Sequence, residues 1–121
     1  MSESIQALHA FSTSMQVTAN NLANMNTDEY HARRVELETG PQDRGVRVQG
    51  ISENTQPGAQ VSRLADAHDN GNMEQTMTET SNVDVAEEMT QMMLDQHAFE
   101  ANAHALVAQE RLIGQFINEM V

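Results

Sequence analysis

Six apolar residues stand seven apart near the end of the chain: Val85, Met92, Phe99, Leu106, Ile113 and Met120. A second row, Met89, Gln96, Ala103, Glu110 and Ile117, keeps the same spacing. A seven-residue repeat sustained over five intervals puts both rows on one face of an α-helix, and no strand or loop shows such a period. The spacing predicts a helix over residues 84–120. Asp84 is its N-cap, with Glu87 three residues on in the capping-box position. About 36 residues of helix would be about 54 Å long. Gly114 is the one weak residue inside, costing about 1 kcal/mol against Ala.

The beginning of the chain carries a matching pattern. Leu8, Met15 and Leu22 are seven apart, and Phe11, Thr18 and Met25 form a second row offset by three. Ile5 and Ala19 widen the stripe, and Ser2 is the N-cap. Asn20, Asn21, Asn24 and Asn26 have low helix propensity, so this helix should end near Met25–Thr27. The C-terminal seam outlasts the N-terminal one by about two heptads, and an unmatched apolar row seeks a partner. Between the helices, residues 28–81 hold five of the six Gly and both Pro. Val35 and Leu37 alternate with Glu36 and Glu38. Val46 and Val48 alternate with Arg47 and Gln49, and Ile51 follows. These runs predict two short strands joined through Gly40, Pro41 and Gly45. From Asn54 to Thr80 no period stands out, and the reading is a polar loop. The expected fold is therefore mainly α. Long terminal helices pair as an antiparallel coiled-coil hairpin, divided 1–27, 28–81 and 82–121, with a short irregular or β-hairpin segment between them.

Composition narrows the function. Hydrophobic residues are 39% of the 121 and aromatics 3%. Pockets for small molecules are mostly lined by apolar and aromatic groups, so a buried active site is disfavoured, and no cofactor is expected. Eighteen acids face six basic residues, all Arg, for a net charge of −12. Nucleic-acid binding depends on neutralising phosphates, and anionic membrane surfaces likewise need cations. Neither nucleic acid nor a membrane is an expected partner. With no Cys, disulfides, thiolate catalysis and Cys-ligated metals are excluded. No apolar run approaches a membrane span. The opening Met-Ser-Glu-Ser has neither a basic nor an apolar signal region, so no cleavable secretion signal is expected.

Four constellations have a chemical reading. His97, Glu100 and His104 share a helix face at metal-ligand spacing. Nothing nearby supplies further rigid ligands, and the reading is an exposed polar face without a metal. Asp66, His68, Asn70 and Gly71 resemble the opening of a calcium loop. His68 stands at position 3, however, and Met77 where the bidentate Glu belongs, so the reading is a polar turn. There is no Gly-x-Ser-x-Gly elbow and no phosphate-binding Gly loop, and no catalytic residues are assigned. The Met residues along the C-terminal seam, Met89, Met92, Met93 and Met120, read as adaptable core filler.

Two stretches go beyond pattern. The first runs Thr18-Ala-Asn-Asn-Leu-Ala-Asn-Met-Asn-Thr-Asp-Glu-Tyr30. The second runs Ser81-Asn-Val-Asp-Val-Ala-Glu-Glu-Met89, followed by Phe99-Glu-Ala-Asn102. In this order and at opposite ends, they resemble the signatures of the bacterial flagellar basal-body rod and hook family. The resemblance covers about residues 5–30 and 81–120, and the short length is most similar to the small proximal-rod members. The family usually has Gly before the Tyr, where this chain has Glu29, and His31 stands where Lys is common. Gly permits positive φ, so the turn after the first helix is where a departure is expected.

The resemblance implies a structural subunit of the proximal rod that performs no reaction. Its terminal helices would pair in a coiled-coil core and stack helically with copies of itself and other rod proteins. It would sit in the periplasmic part of the basal body, exported by the flagellar export apparatus without a cleaved signal. It also implies ends that are disordered in the free subunit and fold on assembly. On the resemblance, Asn20, Asn21, Leu22, Ala23, Asn24, Asn26, Thr27 and Tyr30 make a first packing corner. Asn82, Val83, Asp84, Glu88, Met89, Glu100, Ala101 and Asn102 make a second. The heptad rows add Leu8, Phe11, Met15, Met92, Phe99, Leu106, Ile113 and Ile117 as assembly residues. Two competing readings use the same residues: a soluble coiled-coil adaptor outside the rod, and a metal-dependent helical enzyme built on His97, Glu100 and His104.

Overall fold

A computed structural model describes residues 2–66 and 73–120. The order is α1 (Ser2–Ala23), β1 (Arg33–Thr39), β2 (Val46–Glu53), β3 (Gln60–Asp66), β4 (Met73–Glu79) and α2 (Val85–Met120). Helix α1 contains no Gly or Pro and stops where the asparagines begin to bond locally. The Asn24 N–H donates to the carbonyls of Asn20 and Asn21, and Thr27 donates from both its N–H and its hydroxyl to Asn24. Helix α2 starts on the expected cap, with Asp84 Oδ1 accepting from the N–H of Ala86 at 3.1 Å and of Glu87 at 3.4 Å. The Glu87 carboxylate does not turn back to complete the capping box; it faces Arg34 at 3.4 Å.

The two strands read from alternation are present. β1 and β2 pair antiparallel with a bulge after Glu36, and α1 packs on both. Their connection passes through Gly45 at φ 73°, the left-handed backbone that glycine adopts at no steric cost. The polar stretch read as a loop is instead a second antiparallel hairpin, β3 with β4, from Gln60 opposite Glu79 to Asp66 opposite Met73. Its largely polar strands pair through the backbone without burying a face, since Leu64 is 63% and Met77 67% exposed. Without a buried face there is no apolar alternation to see. Of the calcium-loop reading, His68, Asn70 and Gly71 lie outside the described residues, and Met77 lies in β4.

These findings overturn the expected fold class. The chain is not a coiled-coil hairpin; its described residues form two α-helices with two separate two-stranded antiparallel sheets between them. The face that α1 buries also differs from the expected heptad rows. Ser4, Ala7, Ala10, Ser14, Thr18 and Asn21 are buried; of these Thr18 alone belongs to an expected row, and Leu8, Met15 and Leu22 are only half-buried. On α2 the buried residues are Glu88 and Asp95, each one position before the expected row of Met89 and Gln96. The helices run antiparallel, because Ser14 meets Asp95 and Asn21 meets Glu88. Small side chains let two backbones approach closely, so the contact centres on the Ser and Ala stripe and leaves the larger apolar groups at its margins. At 36 residues against 22, α2 overruns α1, and every residue from Glu110 to Met120 is exposed.

Candidate assembly site

The densest polar network lies where the end of α1, the start of β1 and the start of α2 meet. Asn21 is its centre and is completely buried. Its Nδ2 donates to the carbonyl of Arg33 at 2.7 Å and to Glu88 Oε2 at 3.0 Å. Its Oδ1 accepts from the Arg33 N–H at 3.0 Å and the Tyr30 hydroxyl at 2.9 Å. A carboxamide offers two donors and two acceptor sites, and all four are used. The neighbouring Asn20 is exposed; its Nδ2 reaches the outer side of the same hydroxyl at 3.1 Å, and its Oδ1 accepts from Asn24 Nδ2 at 3.4 Å.

Glu88 is 1% exposed. Its other oxygen receives Arg34 Nη2 at 2.9 Å, and Arg34 Nη1 lies 3.5 Å from Oε2. A buried carboxylate is tolerated only when it is paired and hydrogen-bonded, and strand β1 supplies the cation. Asn82 clasps the same corner from the other side. Its Oδ1 accepts from the Ala32 N–H at 2.6 Å, and its Nδ2 donates to the carbonyls of Asn54 and Gln56, each at 2.8 Å. One side chain thus ties together the entry to β1, the segment after β2 and the entry to α2.

The β3–β4 hairpin joins this corner at its base. The Glu29 N–H donates to the Glu79 carbonyl at 2.9 Å, and Arg63 pairs with Asp28 at 2.9 Å. His31 lies between Glu79, at 3.1 Å, and Glu53, at 3.3 Å. The N–H of Gly58 and then His31 hold the Glu79 carboxyl below its usual range. Glu29, standing where Gly was expected, takes φ 64°. The backbone thus adopts the left-handed turn that favours glycine, although the residue carries a side chain.

The structure brings together Asn20, Asn21, Tyr30, Asn82 and Glu88 from the two sequence stretches, which are separated by the 50 residues 31–80. Asn24 and Thr27 bond to each other beside the corner, whereas Ala23 and Asn26 are exposed and Val83 is half-buried. Asp84 acts as the α2 cap. Leu8, Phe11, Met15 and Leu22 on α1 are half-buried, as are Met92, Phe99, Asn102 and Leu106 on α2. Met89, Glu100, Ala101, Ile113 and Ile117 are exposed. Arg33, Arg34, Ser14 and Asp95 were not expected at the site. A buried serine facing a buried acid shows no signal in a hydrophobic pattern, and Arg34 reads as an ordinary surface charge. His97 and His104 are exposed on α2, where Glu100 accepts from Gln96. Among the described residues no group of three His, Asp or Glu is placed to hold a metal ion, and no helix is long and apolar enough to cross a membrane.

The two halves of this corner match two models of one family. Residues 3–30 match the family described as Flagella basal body rod protein. Residues 74–120 match the one described as Flagellar basal body rod FlgEFG protein C-terminal. Together the matches span more than half of the chain. The chain belongs to the flagellar basal-body rod family. No curated protein matches it. It is a structural subunit of the rod in the flagellar basal body, and the rod proteins are its class of partner. Asn21 and Tyr30 of this rod subunit fall in the first matched stretch, and Asn82 and Glu88 fall in the second, so the buried network joins the two family segments. Arg34, the cation of the network, lies between the matched stretches.

Proposed function

We propose that this chain is a proximal-rod subunit that stacks with copies of itself and with other rod proteins through the free end of α2. The observation that carries the reading is the overrun of that helix. Leu112 is 64% exposed, Phe116 64%, Ile117 55% and Met120 72%, in one continuous helical turn after another. Contiguous exposed apolar surface of this kind marks an interaction site. Repeated association of one end of a subunit with a different surface of the next does not close on itself and makes a helical filament. The segment between the two helices, with two small hairpins in place of a large outer domain, supports a proximal position. The family resemblance supports delivery through the flagellar export apparatus to the periplasmic rod, and a structural role with no reaction.

The test replaces Phe116 and Ile117 with Asp in the full chain and follows the subunit into purified basal bodies. The expected result is loss of the subunit from basal bodies and loss of motility, with helix content unchanged by circular dichroism. Normal incorporation of the double variant would overturn the reading. Immunogold labelling of wild-type basal bodies should place the subunit at the inner end of the rod, and label confined to the distal end would remove the proximal assignment.

A further inference from the structure

The rows that make α2 recognisable also make it ambiguous. Met92, Phe99, Leu106 and Ile113 are seven apart, so sliding α2 along α1 by one heptad replaces each apolar residue with another. Such a slip moves the helix by about 10 Å. Apolar contact alone does not distinguish these positions, because it is non-directional. The row between the helices is different in kind. Glu88, Asp95, Asn102 and Gln109 are also seven apart, and all are polar. Two of them are buried and bonded to α1: Glu88 to Asn21 at 3.0 Å, and Asp95 to Ser14 at 2.6 Å. Asn21 and Ser14 are themselves seven apart, so the two bonds are consecutive steps of one antiparallel register.

We propose that this polar row is a register lock, which selects one of several apolar-equivalent alignments of α2 on α1. Each neighbouring alignment breaks a different part of it. If α2 slides so that Asp95 faces Asn21, then Glu88 passes the end of α1 and leaves Arg34 and Asn21. If it slides the other way, Asp95 faces Ala7, which has no side-chain donor. Asp95 is 2% exposed, and its partners are Ser14 and, at 3.0 Å, Gln91 of its own helix. Among the described residues no cation pairs with it. A carboxylate left buried without its donor penalises that alignment. Specifying helix register by a buried polar residue in an otherwise apolar repeat is the best-attested use of such groups. The aligned state also fixes how far α2 projects. One slip shortens the free end by seven residues, and the other lengthens it by seven.

The chain has no Cys, so His9→Cys with Arg111→Cys introduces two unique spin-label sites, both on exposed positions. Pulsed electron–electron distance measurement on the full-length chain reads the alignment directly. In the aligned state His9 lies opposite residue 100, and the expected result is a single narrow distance. Adding Glu88→Leu is expected to create a second population in which the axial offset is about 10 Å shorter. Ser14→Ala, a smaller change that spares the corner, should produce the same shorter population at a lower fraction. Circular dichroism checks that helix content is retained. A broad distribution in the chain with both polar pairs intact would overturn the lock. A single unshifted distance in both variants with helix content intact would overturn it too. The result does not depend on where in the rod the subunit sits.

Discussion

Asn20 and Asn21 are adjacent and identical, and the structure gives them opposite consequences. Asn21→Ala removes four hydrogen bonds at a site with no solvent access. A neutral hydrogen bond contributes about 0.5–1.5 kcal/mol net, and one to a charged group about 1.5–3. Simple addition gives about 3–7 kcal/mol, which overstates the loss because the partners are not all stranded. Tyr30 keeps Asn20, Glu88 keeps Arg34, and Arg33 is exposed enough for water to reach its backbone. The expected cost is therefore about 3 kcal/mol. That is a large part of the stability of a domain this size, about 5–15 kcal/mol. Asn20→Ala loses two exposed contacts, one of them a long 3.4 Å bond from Asn24, and should cost less than about 1 kcal/mol. Urea unfolding of the two purified variants, followed by circular dichroism, measures the difference. Motility of strains carrying each variant gives the second readout, with loss expected only for Asn21→Ala. Equal unfolding midpoints for the two variants would refute the claim that the buried network, and not the asparagine-rich composition, holds the corner.

Glu29→Gly should raise stability by about 0.5–1 kcal/mol: relief of a left-handed non-glycine residue is about 1–2 kcal/mol, offset by the greater freedom of glycine in the unfolded chain. A lower unfolding midpoint for this variant would show that the Glu29 side chain makes a favourable contact. The Glu79 carboxyl is held below its usual range in the folded chain, so it contributes stability above that range and loses it as pH falls through its folded pKa. Glu79→Gln should accordingly flatten the fall of the urea midpoint between about pH 5 and pH 3, with little change in its pH dependence near neutrality from this carboxyl. His97→Gln with His104→Gln should leave motility and thermal unfolding unchanged, with or without chelator. Saturable zinc binding by calorimetry that disappears in the double variant would contradict this.

The elements with a strong period were legible. The expected span of 84–120 and the observed Val85–Met120 differ by one residue, and the strands around Val35 and Val48 lie where alternation put them. The second hairpin was not, because both faces of β3 and β4 are largely open to solvent and no burial imprints a pattern on Leu64 or Met77. The buried seam was misplaced by one residue for a related reason. Hydropathy marks large apolar side chains, whereas the closest helix contact selects small ones, and Ser4, Ala7 and Ser14 carry little hydropathic signal. At the site, the motifs named Asn21, Tyr30, Asn82 and Glu88. Arg34 was missed because its partner lies 54 residues away, and nothing local distinguishes it from Arg33.

A rod is only as stiff as the contacts between its parts. Long flexible side chains at an interface act as compliant spacers, since each rotamer change lets the two surfaces creep past one another. On the α1 side of the contact with α2 those spacers are absent: the buried face of α1 is Ser, Ala, Thr and Asn, which are short, and the two longer groups that α2 buries there, Glu88 and Asp95, are pinned by hydrogen bonds to Asn21, Arg34 and Ser14. The two backbones are thereby coupled almost directly. Force applied along one helix should reach the other with little elastic loss, a mechanical property that a seam of interdigitated Leu and Met would not provide.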